Sequence, residues 1–311
     1  MIEIFRNPSY NFIGKRHWAY IASGLFTLIG LLSLLTQGLR YDIDFTGGVL
    51  MQVRFVGAPS VGTIRTALTT IGLGESIIQQ FGDPHEFILR MPLTAASSEE
   101  VAKKVQGALG AASSIGPFEI RRVEFVGPQV GRELQWQAVY AVLFGFVGIL
   151  GYIAVRFDLK GGVAAVIAVL HDVLVCLGAI SLTHREFSLP VLAALLTIIG
   201  FSVNDTIVAY DRLRENRGKF TPRGRSFADQ MNDAVNQTLS RTVLTSLTVF
   251  FSAIILFLFA GKALEDFAFV LVVGVITGTY STTYVAASLV VDWTNYIEGR
   301  LTGRKKVVAK A

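Results

Sequence analysis

Six stretches of the chain run almost without charge for about the length needed to cross a hydrocarbon core: residues 18–35, 138–155, 163–182, 190–210, 242–260 and 267–291. A bilayer interior demands about 20 consecutive, mainly apolar residues, because every backbone polar group must be satisfied within the segment itself. Only 16% of the 311 residues are charged, against about 25% in an ordinary soluble domain, and the deficit lies in these stretches. The expected fold class is a polytopic α-helical membrane protein with six transmembrane helices. The first stretch is expected to persist as a membrane helix and not to be removed as a leader, since no small-residue cleavage site precedes the polar segment after it.

Lys and Arg in the short connections set the orientation. Arg6, Lys15 and Arg16 precede the first span, and Arg156 and Lys160 follow the second. Arg212, Arg214, Arg217, Lys219, Arg223, Arg225 and Arg241 lie between the fourth and fifth, and Arg300, Arg304, Lys305, Lys306 and Lys310 follow the sixth. The opposite short connections hold only Arg185 and Lys262. Both termini are therefore expected in the cytoplasm, in keeping with an even number of spans. The net charge of +5 reads as topology, and no nucleic-acid partner is needed to explain it.

The long segment between the first two spans has room for a domain of its own, on the outer side. Its opening alternates, with Ile43, Phe45, Val49, Met51, Val53 and Phe55 on one face and Asp42, Asp44, Thr46, Gln52 and Arg54 on the other. That pattern predicts a strand interrupted by Gly47-Gly48. Val61, Ile64, Leu68 and Ile71 then recur at helical spacing. Two short strands are predicted over 76–81 and 86–91, about the turn Gly82-Asp83-Pro84. A second helix carries Val101, Val105 and Leu109, capped by Ser97 or Ser98. The last strand, 118–126, slips in its alternation at Arg121-Arg122, as a bulge would. The order β-α-β-β-α-β predicts a ferredoxin-like α+β domain. The chain thus divides into a cytoplasmic segment (1–17), the first span (18–36), the exposed domain (37–135), a five-helix membrane region with its cytoplasmic loop 211–241 (136–291), and a basic cytoplasmic tail (292–311).

Ionisable groups inside spans are costly and generally face the bundle interior. His171 and Asp172 stand near mid-depth in the third span. Asp205 stands in the fourth, between Asn204 and Thr206, and shares a helical face with Ser202, Ala209 and Arg212. Arg241 opens the fifth span, and Thr245, Thr248 and Ser252 extend its face. Gly274 and Gly278, then a small and hydroxylic run over 277–283, mark the sixth. A carboxylate that alternately faces water and an arginine takes up and releases a proton, which is how transporters couple a gradient to motion. The plainer alternatives are an interhelical polar contact for Asp205 and a static pair for His171 and Asp172. For Arg241 the alternative is a snorkelling anchor, and for Thr245 and Thr248 it is helix packing.

Between the fourth and fifth spans, Ser226 and Asp229 resemble a capping box. Phe227, Met231, Val235 and Leu239 then predict a short amphipathic helix at the cytoplasmic surface, leading into the fifth span, with a simple connector as the alternative. Enzyme chemistry finds little support. Gly200-Phe201-Ser202-Val203-Asn204 departs from a nucleophile elbow at its fifth position and lies inside a span. The sequence has no phosphate-cradling loop, no metal-ligand spacing at His85 or His184, and one cysteine, Cys176. No enzyme activity, metal or organic cofactor is expected, and protons are the expected coupling ion.

Several of these segments resemble the SecF side of the SecD/SecF family, within the resistance-nodulation-division superfamily. They are Asp44-Phe45-Thr46-Gly47-Gly48 after the first span, His171-Asp172, GFSVNDTIVAYDRLRE over 200–215, and NQTLSRTVLT over 236–245. The resemblance extends over nearly the whole chain. It implies a non-enzymatic subunit of the bacterial inner membrane that works with SecD. Such a subunit uses the proton motive force to promote preprotein translocation through SecYEG. It also implies that Asp205 and Arg241, with Thr245 beside them, belong to a proton pathway, and that the exposed domain handles emerging preprotein. The alternatives are another proton-coupled exporter of the superfamily and a structural translocon subunit that conducts no protons.

Overall fold

Where the backbone finds no water it must bond to itself, and six helical stretches are long and apolar enough to cross a membrane. They are Ile13–Thr36, Gln129–Arg156, Leu159–Leu182, Leu189–Arg217, Phe227–Phe259 and Ala263–Ile297. The structure is a computed structural model that describes residues 8–91, 98–218 and 225–308. After a 3-10 turn at Ile13–Lys15 comes α1 (Arg16–Thr36). The segment between the first two spans holds β1 (Arg40–Tyr41), α2 (Ile43–Thr46), β2 (Gly48–Phe55), α3 (Val61–Thr69) and β3 (Ile77–Gln80). It continues with β4 (Glu86–Met91), α4 (Ser98–Ala111) and β5 (Phe118–Val126). Then follow α5 (Pro128–Arg156), α6 (Leu159–Leu182), β6 (Glu186–Phe187), α7 (Leu189–Gly218) and α8 (Phe227–Phe259). Helix α9 (Lys262–Ser281) passes through one turn of π-helix (Thr282–Ala286) into α10 (Ala287–Val308).

The four-stranded sheet has the order β3-β4-β2-β5, with every pairing antiparallel. The period-2 pattern does its expected work: Val49, Met51, Val53 and Phe55 are each at most 2% exposed. They pack with Leu89 and Met91 against Ile64 and Leu68 of α3 and Val101, Val105 and Leu109 of α4. Each such side chain contributes about 1.5–3 kcal/mol when fully buried, which gives the segment a core separate from the membrane helices. The slip at Arg121-Arg122 is a bulge. Gln52 pairs with Arg122 and Val53 with Ile120, so Arg121 is left over. The cap expected from Ser97 or Ser98 falls outside the described residues and side chains.

The predicted strand does not begin at Asp42. Residues Ile43–Thr46 form a single helical turn, with the Asp42 carboxylate accepting from the Ile43 N–H at 2.7 Å. The apparent alternation there comes from two side chains entering two different clusters. Phe45 packs with the membrane helices, while Ile43 packs with Leu50 and Ile88 under the sheet. Gly47 (φ 72°) and Gly48 (φ 154°) then turn the chain into β2, in backbone that side chains disfavour. A Cβ on Gly48 would also lie 2.8 Å from the Met91 carbonyl oxygen.

Among the membrane helices, small residues set how closely neighbours approach. At the crossing of α1 and α6, a Cβ on Gly178 would lie 2.4 Å from Gly30 Cα, and Ser33 and Ser181 share a hydrogen bond of 2.8 Å. Gly274 and Gly278 of α9 lie against Ile198 and Ser202 of α7. The helices outrun the predicted spans. Helix α5 begins at Pro128, inside the segment assigned to the exposed domain, and α7 continues to Gly218. The Ser226–Asp229 capping box is present, but the surface helix expected after it is the first part of the continuous α8. Met231 and Val235 are buried in the bundle with Tyr210 and Leu213, so this face packs inward. Asn232 and Asn236 of α8 hold the N-terminal segment through the backbone of Tyr10 and Phe12, at 2.8–3.0 Å.

Candidate functional site

The polar residues expected inside the bundle converge where α6, α7 and the π-turn meet, but they separate into two sets. Asp172 is 0% exposed and fully engaged. Ser202 Oγ of α7 and Ser281 Oγ of α9 both donate to its Oδ2 at 2.7 Å, and His171 Nδ1 lies 3.0 Å from its Oδ1. Three helices are thus tied through one carboxylate, as expected where a buried charge is tolerated only with its hydrogen-bonding capacity filled.

Asp205, one turn beyond Ser202, is 3% exposed, and its Oδ2 has no hydrogen-bond partner among the described residues. A buried carboxylate oxygen left unmet is rare and costly, and such groups are candidates for function. Arg241 acts on Asp205 electrostatically, without a direct ion pair among the described residues. The polar wall behind Asp205 comes from the π-turn. Thr282 Oγ1 lies 3.1 Å from Thr206 Oγ1 and donates to the Ser202 carbonyl at 3.3 Å. The sequence signalled this turn only as a small and hydroxylic run. Single π-turns insert a residue into a helix and often mark working sites.

Other expected members lie elsewhere. Arg241, Thr245, Thr248 and Ser252 share an exposed face of α8, and Thr245 Oγ1 bonds back to the Arg241 and Thr242 carbonyls at 3.0 Å. The hydroxyls of α8 that turn inward are Thr242 and Ser246, and Thr279 of α9 donates to Ser246 at 2.8 Å. Asn204 is exposed on α7, on a face shared with Thr197 and Gly200. Asp205 therefore sits between an internal hydroxyl wall and two polar faces open at the bundle surface.

A second assembly of charges joins the exposed domain to the helices. Arg90 of β4, largely buried, pairs with Asp42 at 3.1 Å and closely with Glu186 of β6. Beta strand β1 pairs in parallel with β6. The Leu189 N–H at the start of α7 donates to Asp44 Oδ2 at 3.2 Å, and Gln135 of α5 donates to the Phe45 carbonyl at 2.7 Å. The run Asp44-Phe45-Thr46-Gly47-Gly48 is thus the joint between sheet and bundle. The sequence carries no sign of the Arg90–Glu186 tie, because ion pairs between distant segments leave no local pattern.

Burial lifts the Asp44 carboxyl above its ordinary value, against the Leu189 N–H, and lifts Glu186 against the pull of Arg90. A folded-state value above the unfolded one gives a contribution that is full below the ordinary carboxylate range. That contribution is lost as pH rises through the raised value. Hydrogen-exchange protection of the Leu189 amide, corrected for intrinsic exchange, is therefore expected to weaken from acid toward neutral pH. Asp44→Asn keeps an oxygen for that N–H and is expected to flatten the profile by the share Asp44 contributes. An unaltered slope in this variant would remove Asp44 from the account.

Comparison with known proteins matches this arrangement to a family. The C-terminal family of the protein export membrane proteins SecD/SecF matches residues 108–296, and the SecD/SecF GG motif matches residues 32–58, which contain the joint. Protein translocase subunit SecF of Calditerrivibrio nitroreducens is 40% identical over 291 residues, covering 93% of this chain and 96% of that protein. The SecF subunit of Desulfurispirillum indicum is 43% identical over 297 residues, covering 93% and 94%. The crystal structure of SecDF, a translocon-associated membrane protein from Thermus thermophilus, superposes with a TM-score of 0.82 at 39% identity. That match covers 93% of this chain and 39% of the SecDF chain, so this chain spans about two fifths of it. A multi-pass membrane protein with the SecD/SecF joint and C-terminal helices over most of its length, this chain belongs to the SecD/SecF family as a SecF-type protein translocase subunit.

Proposed function

We propose that this chain is the proton-responsive half of a protein-export machine, working with a SecD-type partner to promote preprotein translocation through a SecYEG-type channel. The observation that carries the proposal is Asp205: a buried carboxylate with one oxygen unpartnered among the described residues, flanked by polar faces that none of the described residues covers. Polar groups facing lipid are costly. The open faces of α7 (Thr197, Gly200, Asn204) and α8 (Arg241, Thr245, Thr248) therefore suit a partner's helices, which would complete a proton path lined by Asn204, Asp205, Arg241 and Thr245. The translocon-associated SecDF of Thermus thermophilus supports such a partner, since this chain matches only 39% of that longer chain.

The basic connections support a bacterial cytoplasmic membrane orientation with both termini inside and the α+β domain periplasmic. Within that domain, the strand order and the two helices on one face support a ferredoxin-like fold. Fixed to the bundle through Asp44 and Arg90, it is placed to pass helix movement to an emerging polypeptide. No enzyme activity or cofactor enters this reading, and protons are the coupling ion, as in other members of the resistance-nodulation-division superfamily. Vesicles holding a SecYEG-type channel with a preprotein held part-way across, this chain and its SecD-type partner provide the test. An imposed inward proton gradient is expected to raise the yield of completed translocation only when both subunits are present. An equal yield without this chain would contradict the proposal.

A further inference from the structure

At the basic end of the bundle, where α5 gives way to α6 and α7 ends, lies a cavity of about 530 Å³ apart from the Asp205 region. Lys160, Arg214 and Arg217 line it above an apolar floor that includes Phe157, Phe227 and Val290. The neighbouring basic residues are already engaged: Arg156 pairs with Asp211 at 2.9 Å and Arg212 with Glu215 at 2.7 Å. The three cavity cations make no carboxylate pair among the described residues. Arg214 donates to the Arg156 carbonyl at 3.2 Å, and the Arg217 guanidinium stacks 5.3 Å from the Phe227 ring centre. The one acidic lining residue, Asp158, is committed to the N-terminus of α6, where it accepts from the Gly161 N–H at 2.6 Å.

Three cations outnumber the single Asp158 carboxylate here, and the surplus creates a local potential that attracts an anion. The surroundings narrow its kind. Val155 is 90% exposed and Leu159 63% exposed beside the cavity, as expected of surface bathed by acyl chains. Tyr296 is exposed on α10 near the same end, where aromatic side chains favour the headgroup level. Basic pockets between helices at a membrane boundary suit lipid headgroups. We infer that this cavity binds the headgroup phosphodiester of an anionic phospholipid, with Lys160, Arg214 and Arg217 around the phosphate and the apolar floor under the glycerol and first acyl carbons. The site ties α6, α7 and α10 to the lipid of one leaflet. It does not depend on the proton pathway, so loss of Asp205 function would leave it intact.

The test is lipid retention by the purified full chain, read by native mass spectrometry after incubation with dioleoylphosphatidylglycerol or dioleoylphosphatidylcholine. Phosphatidylglycerol is expected to be retained at least about tenfold better, since each nearby cation is worth roughly fivefold in affinity for an anionic headgroup. The combined variant Lys160→Gln, Arg214→Gln, Arg217→Gln is expected to lose that preference. Arg214→Lys with Arg217→Lys keeps the charge and is expected to retain most of it. Equal retention of the two lipids by the unaltered chain would overturn the proposal without recourse to any variant, as would an unchanged preference in the glutamine variant. Displacement of phosphatidylglycerol by millimolar inorganic phosphate would assign the cavity to a free phosphate and overturn the lipid assignment.

Discussion

Asp205→Asn is expected to reduce proton flux through the assembled complex at least tenfold while leaving the helix bundle folded. Asn has nearly the shape of Asp, and no hydrogen bond from another residue to Asp205 Oδ2 is lost among the described residues. Removing a buried charge that lacks a full set of partners spares a desolvation cost. The variant's thermal midpoint in detergent is therefore expected to match or exceed that of the unaltered chain. Function is expected to fail for a separate reason: an amide in this range cannot take up and release a proton. The pair of results is diagnostic. A variant that lost flux together with stability would place Asp205 among the packing residues, and one that kept flux would remove it from the path.

Asp172→Ala is expected to do the reverse, with its largest effect on stability. It strands the Ser202 and Ser281 hydroxyls and the His171 ring nitrogen, in a place 0% exposed. Removing one member of a buried charged network costs about 3–5 kcal/mol. Part of this is recovered where Ser281 turns wholly to the Gly278 carbonyl, already 3.2 Å away. Denaturant unfolding in mixed micelles, with Asp205→Asn as the reference, measures the difference. A loss under about 1 kcal/mol would mean that Asp172 does not hold α6, α7 and α9 together. Two carboxylates that look alike in sequence are thus separated by their surroundings: one has its capacity filled, the other does not.

The six spans were legible because hydrocarbon demands length and apolarity, which are local properties. So were the sheet, with its bulge at Arg121, and the capping box at Ser226, each set by a few neighbouring residues. The ends of α5 and α8 were not, because a membrane helix can run on through polar residues that simply project into water or pack on neighbours. Which hydroxyls of α8 turn inward was not legible for a related reason. Thr242, Thr245, Ser246 and Thr248 put hydroxyls on opposite sides of the helix, so periodicity could not choose between them. Packing on α9 decided it, through the Thr279–Ser246 bond. The turn at Asp42–Thr46 mimicked a strand because Ile43 and Phe45 are both buried, although in different cores. Arg90 was invisible as a tie because its partners lie far off in the chain, at Asp42 and Glu186.

The central claim is that Asp205 is the group that binds and releases the transported proton. Infrared difference spectroscopy tests it most directly, by following the carboxyl C=O stretch of the complex with its SecD-type partner in lipid across a pH titration. A band that appears and vanishes reversibly with pH is expected in the unaltered protein and is expected to disappear in Asp205→Asn. If that band persisted undiminished in Asp205→Asn, the titrating acid would lie elsewhere and the account would be contradicted.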